Sequence, residues 1–171
     1  MQFCFLVNYR QIIQMIEIPS IFINRITTVT PGVIEAARRL ASLLGSGNQA
    51  NISADYLSKI TDSPNTHWLG ATLLNDSRII GMATLTIMPM MTNIRAGLES
   101  VVVDESVRGF GIATELCKEA RVIADSLGVN TLRAAAMKDN VPSLGMLEKL
   151  GFEIETSMHY LELDIQQGPR F

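Results

Sequence analysis

The stretch VVVDESVRGFGIATEL, Val101 to Leu116, runs from three valines through a glycine-bearing turn into a helical pattern, with an arginine at the bend. Backbone N–H groups at a helix N-terminus lack intrahelical partners and carry the positive end of the helix dipole, so a glycine-opened turn there can wrap a phosphate or pyrophosphate. Gly109 and Gly111 let the backbone come close, and Arg108 adds a charge beside it. An ordinary strand-to-helix turn also uses glycine for positive φ, so a lone GxG leaves both readings open. A dinucleotide fingerprint requires GxGxxG, but GFGIAT puts Thr114 where the third glycine or alanine belongs, and the next strand pattern ends without an acidic ribose ligand. No GxxxxGK[ST] occurs, which removes the P-loop.

Outward from this turn the pattern alternates. IFINRITTV (Ile21 to Val29) reads as a strand, and Thr30-Pro31 supplies an N-cap with proline at the first helical position. A helix to Leu44 follows, with Val33, Ala37, Leu40, Ala41 and Leu44 at helical spacing and Gly45 as its stop. Ser53 caps a shorter helix. HWLGATLL and IIGMATLTIM flank the turn NDSR as a hairpin, and RAGLESVVV (Arg95 to Val103) is a further strand. Gly111 to Leu127 is a long helix ending at Gly128, TLRAAAM (Thr131 to Met137) a short strand, and NVPSLGMLEKLG a helix capped by Asn140 with Gly151 past its end. EIETSMHYLELD closes with strand character. Strands and helices alternate without repeat or linker, the pattern of one mixed α/β domain.

At 171 residues and 47% hydrophobic content the chain suits one domain with a sizeable core. A net charge of -3, with scattered basic residues, argues against nucleic acid as a partner. FCFLV (Phe3 to Val7) is too short for a membrane span and lacks a charged leader, so neither a signal peptide nor a membrane is expected. Met15 would be a natural domain start, and residues 1–20 read as an N-terminal extension. Cys4 and Cys117 are far apart without CxxC spacing, which suggests neither a disulfide framework nor zinc and points to a reducing, cytoplasmic compartment. Cys117 has no histidine nearby in sequence and is not expected to be a nucleophile. His67 and His159 each sit beside an aromatic without ligand spacing, so no metal site is expected.

The turn resembles the acyl-CoA loop of the GNAT superfamily of N-acetyltransferases, [QR]-x-x-G-x-[GA], through Arg108, Gly111 and Ala113. About 30 residues on, NVPSLGMLEKLGFE is similar to the family's second signature through Asn140, Ser143, Gly151 and Phe152, and RIIGMATL looks like its third strand. The resemblance spans Thr27 to Asp164, with the domain set at 21–165 and a tail at 166–171. It implies a mixed central sheet of six to seven strands with splayed parallel strands 4 and 5, flanked by about four helices. It further implies acetyl-CoA as donor, with no metal. Backbone groups of Arg108, Gly109, Phe110, Gly111, Ile112, Ala113 and Thr114 would take the pyrophosphate. Val101, Val102 and Val103, with Asn140 and Ser143, would lie along the pantetheine arm. Asn140 is equally an ordinary helix cap.

The implied reaction is direct transfer of an acetyl group to a primary amine, of a small molecule or a peptide; a homodimer is compatible with the reading. A carboxylate base is useful in that chemistry. Glu99, nine residues before Arg108, stands where some family members carry a glutamate base. Strict alternation would put it on the face of Val101 and Val103, unless the strand rotates there and leaves it on solvent. Leu147 occupies the position of the family's frequent tyrosine acid; Tyr160 is a substitute or a plain strand aromatic. A catalytically silent CoA-binding module is the alternative, as is an acyltransferase with another donor or acceptor.

Overall fold

The computed structural model describes residues 20–44, 52–74 and 76–157. They fall into two compact units that divide between Ala135 and Ala136.

The first unit is built on a five-stranded sheet in the order β1 (Ile21–Arg25), β2 (Thr66–Leu73), β3 (Asp76–Pro89), β4 (Ile94–Val103) and β5 (Thr131–Ala134). The first four strands pair antiparallel and β5 lies parallel to β4. Among the described residues its α-helices are α1 (Pro31–Ala41), α2 (Ala54–Thr61) and α3 (Ile112–Ser126). The Thr30 side chain caps α1 by accepting from the Val33 N–H, and Ser53 caps α2 by accepting from Tyr56. After Ala41 the chain tightens into a 3₁₀ turn, Ser42–Leu44, so the expected helix reaches Leu44 in two forms.

Burial assigns the sheet faces. Trp68, Met82 and Val102 pack with Val33, Ala36, Ala37 and Leu40 of α1 and Leu57 of α2. On the opposite face, a Cβ on Gly81 would meet Ile112 and Leu116 of α3 at 3.2 and 3.3 Å, so Gly81 lets the helix sit close. α3 ends as expected: Gly128 takes φ +69°, and the Val129 N–H donates to the Ala124 carbonyl.

The second unit contributes α4 (Val141–Lys149). Asn140 caps it, its Oδ1 accepting from the Ser143 N–H at 3.2 Å. Gly151 at φ +89° closes its C-terminus, with the Phe152 N–H donating to the Leu147 carbonyl.

Four expectations are corrected. Five strands, not six or seven, are present among the described residues. Residues 153–157, where a closing strand was expected to begin, have no strand conformation; the Glu155 carboxylate instead accepts from the N–H and the hydroxyl of Ser157, a local turn that competes with extension. The strand at Thr131 stops at Ala134 rather than running to Met137. Finally, Glu99 does not share a face with Val101 and Val103. Met82 pairs with Val102 but Thr84 pairs with Glu99, so Ser100 and Val101 together oppose the single residue Ala83, a β-bulge. Ser100 takes φ +52° to make it, and the extra residue resets the alternation. Glu99 is therefore in step with Gly97 and Val102. Tyr160, His159, Cys4 and Gly45 lie outside the described residues.

Candidate functional site

The loop quoted at the outset is shaped from its own sequence. After β4, Asp104 accepts from the N–H of Ser106 at 3.1 Å and from its hydroxyl at 2.7 Å, opening a 3₁₀ turn over Glu105–Val107. Gly109 and Gly111 then take φ +87° and +81°, left-handed values that few side-chain-bearing residues tolerate. Gly111 is also the N-cap of α3 and, having no side chain, leaves the helix uncapped. Among the described residues the backbone N–H groups of Gly109 through Thr114 have no hydrogen-bond partner, whereas the Arg108 N–H donates to Glu105 and the Glu115 N–H to Gly111. A Cβ added at Gly109 or Gly111 would meet nothing within 4 Å. Consecutive free donors at a helix N-terminus, beside glycines with open space on their Cβ side, form a cradle for an oxyanion.

Arg108 does not aim its charge into that cradle. Its Nε donates to the Val103 carbonyl at 3.3 Å and its Nη1 pairs with Glu105 at 3.1 Å, so it braces the turn from behind. A second brace spans a long sequence separation. Arg39 of α1 pairs with the Asp104 carboxylate and donates through Nη2 to the Ile79 carbonyl at 2.6 Å. The hydrogen bonds from the Ser106 hydroxyl and N–H, and then the guanidinium charges of Arg39 and Arg78, hold the Asp104 carboxyl below the usual carboxylate range. The Arg39–Asp104 pair was not visible in the sequence; the only local sign was Asp104-x-Ser106, an Asx-turn spacing. Arg39→Ala should cost about 1 kcal/mol of stability, because it removes one partner of the Asp104 carboxylate, which keeps its bonds from Ser106, and the side-chain donor to the Ile79 carbonyl. It should also raise the KM for a loop-bound ligand more than it lowers kcat. Arg39→Lys should recover only part of this, since an ammonium cannot fork to both acceptors. Because the carboxyl is depressed, the stability it supplies is present above the unfolded value and is lost only as pH falls through the folded one, so the brace stays intact near neutral pH. Urea unfolding at pH 7 and pH 3 checks both statements.

Beside the loop the two parallel strands part. β4 and β5 pair from Arg95 with Thr131 up to Leu98 with Ala134, while β4 continues to Val103. Among the described residues the β5-facing edge from Glu99 onward therefore has no strand partner, and Val101, Val102 and Val103 lie along it. An extended amide-bearing chain could add there by strand-type hydrogen bonds. Glu99 is exposed where the parting begins, and its Oε1 lies 3.5 Å from the position a Cβ on Gly97 would take. Phe110 is exposed, while Ile112 is buried under the sheet and presents only its backbone to the loop.

The second unit holds Asn140 and Ser143 in the cap just described, with the Asn140 amide NH2 group left as a donor. Leu147 is buried on α4. Burial pushes the Cys117 thiol up to about 11, as befits an inert core residue. Burial, and then the charge of Arg25, lower His67 below the ordinary histidine value. Among the described residues no group of three or more His, Cys, Asp or Glu could hold a metal ion, and no helix is long and apolar enough to cross a membrane.

The sequence profile described as Acetyltransferase (GNAT) family matches residues 37–152. A protein of Bacillus subtilis (strain 168) named "Putative phosphinothricin acetyltransferase YwnH" is 43% identical over 53 residues, which is 31% of this chain and 32% of that protein. The matched stretch thus spans about a third of the relative. Among solved structures, an aminoglycoside acetyltransferase from an uncultured soil metagenomic sample, in complex with sisomicin, superposes with a TM-score of 0.71 at 18% identity, covering 84% of this chain and 97% of that one. The aminoglycoside N-acetyltransferase AAC(6')-Iy in complex with CoA gives 0.67 at 20% identity, covering 84% and 95%. At such identities the superpositions establish the fold.

Proposed function

This chain belongs to the GNAT acetyltransferase family, and from that premise we propose that it is an N-acetyltransferase that moves an acetyl group from acetyl-CoA directly to a primary amine. The observation that carries the reading is the run of unpartnered N–H groups from Gly109 to Thr114, fronted by two left-handed glycines with open space where a Cβ would stand. A cradle of that kind fits the pyrophosphate of CoA. The existence of a CoA complex of the same fold supports the donor.

The donor supplies a thioester carbonyl. The protein's residues do the rest. Backbone N–H groups of Gly109 to Thr114 hold the pyrophosphate, and the edge of β4 at Val101 to Val103, past the end of its pairing with β5, aligns the pantetheine amides. Glu99 takes a proton from the acceptor's ammonium, directly or through water, so that the nitrogen lone pair can attack the carbonyl carbon. The C–S bond then breaks, the sulfur leaves as thiolate, and the excess proton on the new amide nitrogen passes to that thiolate or to solvent, which leaves a neutral amide. A thiol pKa of about 8.5 makes that departure feasible near neutral pH without a strong acid, which is relevant because Leu147 stands at the family's tyrosine position. Tyr160 is the proposed alternative proton donor.

Leu147 also supports a second reading, a silent CoA-binding module. Purified protein, acetyl-CoA and a thiol-detecting dye over a panel of primary amines separates the two. Acceptor-dependent thiol release, retained after exhaustive dialysis against a chelator, is the expected result. CoA binding with only slow, acceptor-independent release would favour the silent module, and a metal-restorable loss would reveal a metal site.

A further inference from the structure

The face of the sheet that carries Glu99 also carries two arginines. Side chains of directly paired residues point to the same side of a sheet, so register assigns the face. Arg95, Gly97 and Glu99 alternate along β4 before the bulge. Arg95 pairs with Met88 and Thr131, and Gly97 pairs with Thr86 and Arg133. Glu99, Arg95, Arg133 and Met88 therefore ring Gly97, whose missing side chain leaves a floor between them. A Cβ there would lie 3.5 Å from the Glu99 Oε1 and 3.7 Å from the Met88 Cε. Helices α1 and α2 pack on this face over Trp68, Met82 and Val102. At the Gly97 end, Glu99 and Arg133 are exposed, and Arg95 is half-buried.

The charges are not spent on one another. Arg39 pairs with Asp104, Arg108 with Glu105 and Lys118 with Glu115, and among the described residues none of Arg95, Arg133 and Glu99 takes part in an ion pair. From the strand spacing and rise, the Cβ of Arg133 lies about 8 Å from those of both Arg95 and Glu99. Two guanidinium groups can thus converge on one oxyanion, by paired N–H bonds, on the same face as the carboxylate of Glu99.

We infer that this face selects a zwitterionic acceptor: a small amine whose other end is a carboxylate or similar oxyanion, held by Arg133 and Arg95 with its nitrogen at Glu99. The inference rests on the proposed N-acetyltransferase reading and narrows its acceptor. It also sets this chain apart from a site for polycations. A diamine or aminosugar would carry its second positive charge toward two arginines, and the repulsion would count against it.

Three acceptors of one chain length test the inference: an amino acid with a terminal amine, its methyl ester, and the corresponding diamine. The kcat/KM of the acid should exceed that of the ester by about tenfold or more, chiefly through KM, as expected for losing a paired charged contact, and the diamine should be poorest. In Arg133→Gln and in Arg95→Gln the acid-to-ester ratio should collapse toward one. In Arg133→Glu the order should reverse in favour of the diamine. Equal use of the three amines by the unaltered protein, preference for the diamine, or a uniform loss across all three in the arginine variants would overturn the inference. If no amine is acetylated, the failure lies with the acetyltransferase reading, and calorimetric binding of the amino acid to CoA-saturated protein decides this inference by itself. Binding that Arg133→Gln weakens about tenfold upholds the site, and absence of binding overturns it.

Discussion

Glu99→Gln is expected to lower kcat about 10²- to 10⁴-fold, the usual range for losing a positioned acid or base, with the fold and the affinity for CoA unchanged. The side chain is exposed on the edge of the bulge, outside the packed cluster of Trp68, Met82 and Val102, so an amide of nearly the same shape disturbs no packing. The defect should shrink as pH rises, because free amine then exists in solution and a base has less to contribute. A Glu99 that only anchors the acceptor's ammonium would show its loss mainly in KM. Rate profiles from pH 6 to 10 for both proteins distinguish the two roles, and a near-normal kcat throughout would remove Glu99 from the chemistry. Backbone carbonyls and ordered water at the unpaired edge of β4 would then be the place to look for the proton's path.

Gly111→Val should reduce CoA affinity on the order of 100-fold or more, a loss of roughly 2.7 kcal/mol. Two effects combine. The position sits at φ +81°, where a β-branched residue is a genuine outlier, so the loop must rearrange. The new side chain would also enter the open space in front of the N–H cradle, where a Cβ at present meets nothing within 4 Å. The control is Gly128→Ala. That residue is also left-handed, at φ +69°, but it closes the far end of α3. It should lower stability by about 1 kcal/mol without touching CoA binding. Calorimetry that finds unchanged CoA affinity in a folded Gly111→Val protein would discount the loop as the pyrophosphate site.

Features legible in the sequence are those whose causes are local. Thr30, Ser53 and Asn140 cap their helices because a short polar side chain can reach an N–H two or three residues ahead. Gly109, Gly111, Gly128 and Gly151 all take positive φ because the turns beside α3 and α4 demand it and glycine supplies it cheaply. The first five strands could be placed by alternation and turn residues, and the two motifs around Gly111 and Asn140 led to the family.

Other features arise from partners far away in the chain, and these only the tertiary structure decided. The face of Glu99 depends on Ala83 of β3 opposing both Ser100 and Val101; single-strand alternation cannot register an extra residue that exists only in the pairing. Arg108 looks like a phosphate ligand in sequence, yet carbonyl and carboxylate acceptors behind the loop capture it. Arg39 and Asp104 are 65 residues apart, and nothing in either segment predicts that α1 will brace the turn. The gathering of Arg95, Arg133 and Glu99 around Gly97 follows from the register of β4 against β5, set by where both strands bury their apolar faces. Propensity and capping act within a few residues, so composition and spacing reveal them; register, bulges and long-range ion pairs are settled by packing, which must satisfy the whole sheet at once.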